Sequence, residues 1–216
     1  MNKKINPPKK ILVTAGPTIE PLDPVRYISN YSTGTMGYEI AAQAAKEGYA
    51  VCLVSGPVSL SVPSGVEVVN VKEAREMRTR VIERIDEYDC LIMAAAVCDF
   101  RPENKKKSKI KKKKELTLKL VKNPDILMEL TKNKGLIKIG FALETNNPIK
   151  NGKNKLKEKK LDLIVLNTIS KKQSPFGSGR MEYTIIHSSG TVRHLKKRTK
   201  KQMAKIITKE AGKLMI

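Results

Sequence analysis

Six short apolar runs recur along the chain, most of them closed by small or turn-forming residues. They are KILVTAG (10–16), YAVCLVSGP (49–57), GVEVVNV (65–71), DCLIMAAAV (89–97), LIKIGFALE (136–144) and DLIVLNTI (162–169). The third alternates, but the others are apolar at nearly every position, as strands covered on both faces are. Between several of them lie stretches with helical spacing. MGYEIAAQAAKEG (36–48) is Ala-rich and stopped by Gly48, and KEAREMRTRVIERIDEY (72–88) is amphipathic. IKNGKNKLKEKKL (149–161) is a lysine-rich helix interrupted by Gly152. Parallel strands need crossover connections, usually helices, so this alternation constrains the fold strongly. The expectation is α/β: a Rossmann-like doubly wound, mostly parallel sheet with helices on both faces.

Three further segments complete that picture. ELTLKLVKN (115–123) alternates strictly, which predicts a half-exposed antiparallel extension. NPDILMELTKN enters a short helix through Asn-Pro. RMEYTIIHSSGTVRHL (180–195) predicts a C-terminal hairpin around Ser-Gly, followed by a closing helix. With 216 residues and no linker or repeat, the expectation is one domain over residues 1–216, with a basic flap at about 98–114.

Ligands of such sheets bind outside the carboxyl ends of the strands. The loops after Ala15, Ala96, Ala142 and Leu166 are therefore the expected site. The first contains RYISNYSTGTMG, with Gly34 and Gly37 where a backbone must come close to a ligand, and then a helix start. Unpaired N–H groups and the positive dipole end make that a phosphate loop, although the pattern also fits an ordinary turn before a helix. It is not the dinucleotide fingerprint: no G-x-G-x-x-G follows the first strand, and no acidic residue ends the second. A Walker lysine is missing too.

Residues 101–122 hold eleven Lys/Arg and two Glu. Such a run repels itself unless solvated or closed over a polyphosphate. It follows AAAVCDF directly, so it leaves the ligand-binding edge, where Asp99 can orient a hydroxyl, an amine or a metal. Lys155 and Lys159 share one helical face, and like charges at that spacing point to a shared anion or to plain lysine-rich surface.

Other classes fit less well. The net charge of +22 admits nucleic acid as a partner, but aromatics are only 4% with no Trp. No apolar run reaches the ~20 residues of a membrane helix, and the start of the chain lacks the h-region of a signal peptide. Cys52, Cys90 and Cys98 have no metal-ligand spacing and read as free thiols of a reducing cytoplasm. His187 and His194 are too few for a metal cluster or a catalytic triad. Chemistry would rest on positioning, amides and lysines, which suits a nucleotide-driven transfer.

VTAGPTIEPLDPVRYISNYSTGTMGYEIA, AAAVCDFRP, KIKKK, ELTLKLVKNPDIL, GFALETN and LKEKKLDLIVLN occur in this order. Together they resemble bacterial phosphopantothenate–cysteine ligase, the second half of the bifunctional coenzyme A biosynthesis protein, from about residue 10 to residue 195. No decarboxylase half accompanies them, so the chain looks like a stand-alone ligase. The resemblance implies condensation of 4′-phosphopantothenate with L-cysteine, driven by CTP with Mg2+ through an acyl-cytidylate, in a cytoplasmic homodimer without specific nucleic-acid or membrane partners. It assigns catalytic roles to Arg26, Asn30, Ala95 and Lys109. It assigns nucleotide contacts to Asp99, Lys109, Pro124, Asp125, Ile126, Leu127, Phe141, Lys155 and Lys159. Lys111 and Lys112 are rivals of Lys109, because the lysine run is longer than usual. Thr35 stands where the family usually has lysine, and Cys98 where alanine is common.

Overall fold

A computed structural model describes residues 7–168 and 179–216, apart from residues 113 and 145. The chain runs β1 (Lys10–Ala15), β2 (Ile19–Pro21), β3 (Tyr27–Ser29), α1 (Thr35–Lys46), β4 (Ala50–Ser55), β5 (Val66–Asn70) and α2 (Ala74–Ile82). It continues through β6 (Cys90–Met93), β7 (Phe100–Pro102), β8 (Leu120–Lys122), α3 (Ile126–Glu129), β9 (Ile137–Glu144) and α4 (Pro148–Glu158). β10 (Leu163–Thr168), β11 (Met181–His187), β12 (Val192–Arg198) and α5 (Lys200–Leu214) complete it.

Eight strands form one sheet in the order β12-β11-β10-β9-β6-β1-β4-β5. From β1 the chain steps outward to β4 and β5, then returns to β6, β9 and β10 on the other side. All these pairings are parallel, so the six strands have the doubly wound order, with its switch point between β1 and β6. β11 and β12 add the expected hairpin, antiparallel to β10.

Alternate strand residues feed two cores. Ile11, Val13, Cys90 and Ile139 pack with Ile40 and Ala41 of α1 and Met203 and Ile207 of α5. Leu12, Cys52, Val54 and Leu91 pack on the other face with Met77 and Val81 of α2 and with Leu127 and Leu130. Cys52, Cys90 and Cys98 are buried free thiols, and burial pushes all three above the ordinary thiol value. No helix among the described residues is long and apolar enough to cross a membrane.

Two local expectations need correction. The strand foreseen at 115–123 is only β8, and its partner β7 lies inside the segment read as a flap. Glu115–Lys119 are exposed, and Leu116, Leu118 and Leu120 face solvent. Alternation promises a half-buried strand only where something covers one face, and none of the described residues covers that face. The helix foreseen at 72–88 stops at Ile82 and resumes as a single tight turn at Ile85–Glu87. Small antiparallel β2–β3 pairing inside the first loop was signalled by no pattern. The last residue of the sixth apolar run, 169, lies outside the described residues.

Gly37 is explained by packing. A Cβ there would stand 2.5 Å from the Ala15 Cβ and 2.9 Å from the Thr14 carbonyl oxygen, where α1 lies directly on β1. Gly37→Ala must therefore push the helix off the strand, and overpacking of this kind costs about 1–3 kcal/mol. Urea unfolding should show that loss, and an unchanged midpoint would contradict the close contact.

Candidate active site at the switch point

A cavity of about 710 Å³ opens at the carboxyl ends of β1, β6, β9 and β10. Ser29–Met36, Met93–Asp99, Lys122–Leu127, Gly140–Leu143 and Asn167 line it, with Lys155, Lys159 and Lys200. The first loop and the loop after Ala96 contribute; from the other two exits the lining is Leu143 of β9 and Asn167 of β10, and the loop at 169–178 lies outside the described residues.

The floor is held by hydrogen bonds between the two central exits. The Ala96 N–H donates to the Gly16 carbonyl at 2.9 Å, and the Ala96 carbonyl accepts from the Thr18 N–H at 3.3 Å. Thr14 Oγ1 accepts from the Ala95 N–H at 3.2 Å, and Thr18 Oγ1 from the Cys98 N–H at 2.9 Å. Ala94, Ala95 and Ala96 therefore present little but backbone to the cavity. Asn30 reaches across to this exit: its Nδ2 donates to the Ala96 carbonyl at 3.0 Å and to the Val97 carbonyl at 3.3 Å. Two carbonyl acceptors fix which way the amide faces, and both of its hydrogens are engaged.

At the mouth of the first loop, Gly34 precedes α1 with φ 75°, a left-handed conformation suited to glycine. No side chain caps α1 and no acidic residue sits in its first turn, so its amides and dipole favour an anion. The glycines were expected to admit a ligand, but a Cβ on Gly34 would meet Val58 at 2.6 Å, and Gly37 does not line the cavity. Gly37 serves packing, while Gly34 combines a left-handed backbone with a place in the lining.

On the opposite wall, Asp125 caps α3 by accepting from the Met128 N–H at 3.2 Å. Ile126 and Leu127 bury their side chains in the core, leaving backbone toward the cavity. Lys155 and Lys159 do not share an anion here. Lys155 Nζ lies 2.7 Å from Glu144 Oε1, and Lys159 Nζ lies 2.8 Å from Asp125 Oδ2. Each cation has its own carboxylate, which answers the repulsion read from their spacing. Burial pushes the Glu144 carboxyl up, but hydrogen bonds from Lys155 and Asn151 outweigh it and leave it below the ordinary value.

Of the site residues expected from the sequence, Arg26, Gly37, Lys109 and its rivals Lys111 and Lys112 are absent from the lining. Arg26 pairs with Asp23 in the turn joining β2 to β3, and Lys109, Lys111 and Lys112 are exposed. Two lining residues had no signal of their own. Asn167, the penultimate residue of β10, has its Oδ1 buried with no hydrogen-bond partner among the described residues. Lys200, the first residue of α5, is half-buried, has no carboxylate within ion-pair distance among the described residues, and is pushed down by burial.

A doubly wound α/β domain, with amides and four lysines gathered at its switch point and no histidine among the described lining residues, is the class that fold and site define. The chain belongs to the DNA/pantothenate metabolism flavoprotein C-terminal domain family, which matches over residues 7–214. It is 47% identical over 174 residues to the coenzyme A biosynthesis bifunctional protein CoaBC of Escherichia coli (strain K12), covering 78% of this chain and 43% of that protein. It is 42% identical over 200 residues to a cysteine/cysteine sulfinic acid decarboxylase from an unknown prokaryotic organism, covering 91% of this chain and 56% of the relative. The chain thus spans about half the length of the curated relatives it matches. Its backbone superposes on the crystal structure of the C-terminal domain of a CoaBC protein with TM-score 0.82 and 36% identity, covering 96% and 95% of the two chains.

Proposed function

We propose that the chain is a ligase of coenzyme A biosynthesis that joins 4′-phosphopantothenate to L-cysteine at the expense of CTP. The observation that carries this reading is the gathering of Asn30, Ala95, Asp99, residues 124–127, Phe141, Lys155 and Lys159 around one cavity at the switch point. These residues come from segments distant in sequence; the family's name refers to pantothenate metabolism, and its relative from Escherichia coli is named for coenzyme A biosynthesis.

In the first step a substrate carboxylate oxygen attacks the α-phosphorus of CTP. An O–P bond forms, the bond to the β-phosphate oxygen breaks, and pyrophosphate leaves. In the second step the cysteine amine attacks the acyl carbon, the C–N bond forms, the amine loses a proton, and CMP departs. Pro124–Leu127, Phe141, Lys155 and Lys159 make the nucleotide wall, with Phe141 covering the base. The pairs Lys155–Glu144 and Lys159–Asp125 keep that wall near neutral until phosphates arrive and compete for the lysines. The substrate's own phosphate sits at the first turn of α1. Lys200 faces the same cavity with a charge that burial disfavours, and an arriving dianion restores it.

No three of His, Cys, Asp and Glu gather to hold a metal among the described residues. Magnesium therefore enters this reading on the nucleotide's phosphates, as that ion commonly does with one or two carboxylates. Asp99 is the available carboxylate of the lining, since Asp125 is paired. The enzyme is read as a cytoplasmic homodimer. Val25, Tyr27 and Phe100 are 60%, 58% and 52% exposed beside the small hairpins, and a second copy would cover them.

The test is pyrophosphate release. It should require phosphopantothenate and CTP, proceed to about one equivalent per site without cysteine, and turn over only when cysteine is added. Release no greater than with CTP alone would overturn the assignment.

A further inference from the structure

Arg26 and Lys109 both lie off the cavity lining, yet one carboxylate joins their neighbourhoods. The Asp23 side chain is fully buried. Its Oδ1 accepts from the Val25 N–H at 2.8 Å and the Arg26 N–H at 2.9 Å. Its Oδ2 accepts from Arg26 Nε at 3.0 Å, from Arg26 Nη2, and from the Ile110 N–H at 3.0 Å. Arg26 Nη2 then donates to the Ile110 carbonyl at 2.7 Å. One residue, 87 positions away from Asp23 in sequence, is thus gripped at both its N–H and its C=O.

A second tie lies four residues earlier, where the Lys106 N–H donates to the Leu22 carbonyl at 2.9 Å. The two ties bracket Lys107, Ser108 and Lys109. Lys111 and Lys112 fall outside them. An exposed ion pair is worth little, but a buried carboxylate with five donors is a different object. The Ile110 N–H above all, with Arg26 and two further backbone amides, holds the Asp23 carboxyl well below the usual carboxylate range against the opposing effect of burial. The carboxylate therefore stays charged throughout the neutral range, so the tie needs no proton to be removed.

No other part of the molecule spends a buried charge on an otherwise exposed segment in this way, among the described residues. We propose that Asp23 is a positioning residue, which sets Arg26 and the bracketed Lys109 in a fixed register for the phosphates of the nucleotide. This rests on the ligase reading above for what Lys109 meets, and on hydrogen bonds alone for the tie itself.

Asp23→Asn keeps the size but removes the charge and one acceptor. Limited trypsin digestion of the unliganded protein reads the tie directly, because the segment is rich in lysine. Losing one partner of a buried charged hydrogen-bond set should speed cleavage within residues 105–112 by ~10-fold or more, with the thermal midpoint of the rest little changed. Single-turnover pyrophosphate release should fall by a similar factor, while consumption of preformed acyl-cytidylate by cysteine stays near the wild-type rate. Asp23→Glu should recover part of both. Ile110→Pro removes the N–H that Asp23 accepts, although it also fixes φ and blocks cleavage after Lys109; read at the other lysines of the segment, it should reproduce both effects if Asp23→Asn fails to fold. Faster cleavage with unchanged pyrophosphate release would overturn the positioning role, and unchanged cleavage would overturn the tie. A wild-type protein that releases no pyrophosphate overturns the ligase reading instead, and the cleavage ratio still reports on the tie.

Discussion

Replacing Asn30 by Asp is expected to leave the first half-reaction largely intact and to lower product formation by about 10²–10³-fold, the usual cost of one lost oxyanion donor. Attack of the cysteine amine places negative charge on the acyl oxygen. Asn30 reaches the exit after β6, where it holds two donors on the Ala96 and Val97 carbonyls, while Asn123 donates to the next carbonyl, of Cys98. The bond to Val97, at 3.3 Å, is the longer, and it is the one to exchange for the oxyanion. An aspartate carboxylate at the same place has no hydrogen to offer and sets a negative charge against two carbonyl oxygens and the developing oxyanion. The measurement is a rapid-quench course with labelled CTP. Acyl-cytidylate should accumulate to nearly one per site in the variant and decay slowly. Turnover within about threefold of wild type would remove Asn30 from the second step.

The sheet was legible because each of its core strands is apolar on both faces, which little besides a covered parallel strand requires. Glu115–Lys119 show the limit of the same logic. Their alternation matches that of a covered strand, but burial depends on a partner surface that local pattern does not encode. The site was legible as loops rather than as contacts. Strand ends locate Ala95, Phe141 and Asn30 in one region, since topology alone brings them there. Which lysine does what is another matter. Lys155 meets Glu144, 11 residues away, and Lys159 meets Asp125 across the cavity wall. Neither pairing is visible in spacing along a helix. Lys200 is one of 43 basic residues, and only its burial beside the cavity separates it from the others. Asp23 is similar: in sequence it reads as a turn residue between prolines, and its role appears only when Ile110 arrives from a distant loop.

Lys109→Gln should abolish most of the first half-reaction, with pyrophosphate release falling by about 10²–10³-fold, because a cation in a closed site stabilises charge that develops only in the transition state. Lys111→Gln and Lys112→Gln should stay within a few-fold of wild type, since both lie beyond Ile110, the residue that Asp23 and Arg26 grip. Equal losses at all three positions would mean that the run acts as a diffuse charge and that the register is not fixed. Mixing sharpens the result. Lys109 is absent from the cavity lining of its own chain, whereas Asn30 is part of it. If the homodimer reading is right and Lys109 serves the neighbouring cavity, the Asn30→Asp and Lys109→Gln proteins, each nearly inactive, will complement. Half of the randomly exchanged dimers are mixed, and each then holds one intact site of two, so about a quarter of wild-type turnover returns. No recovery after verified subunit exchange would place Lys109 over its own cavity, and the basic segment would then have to fold back across the β6 exit within one chain.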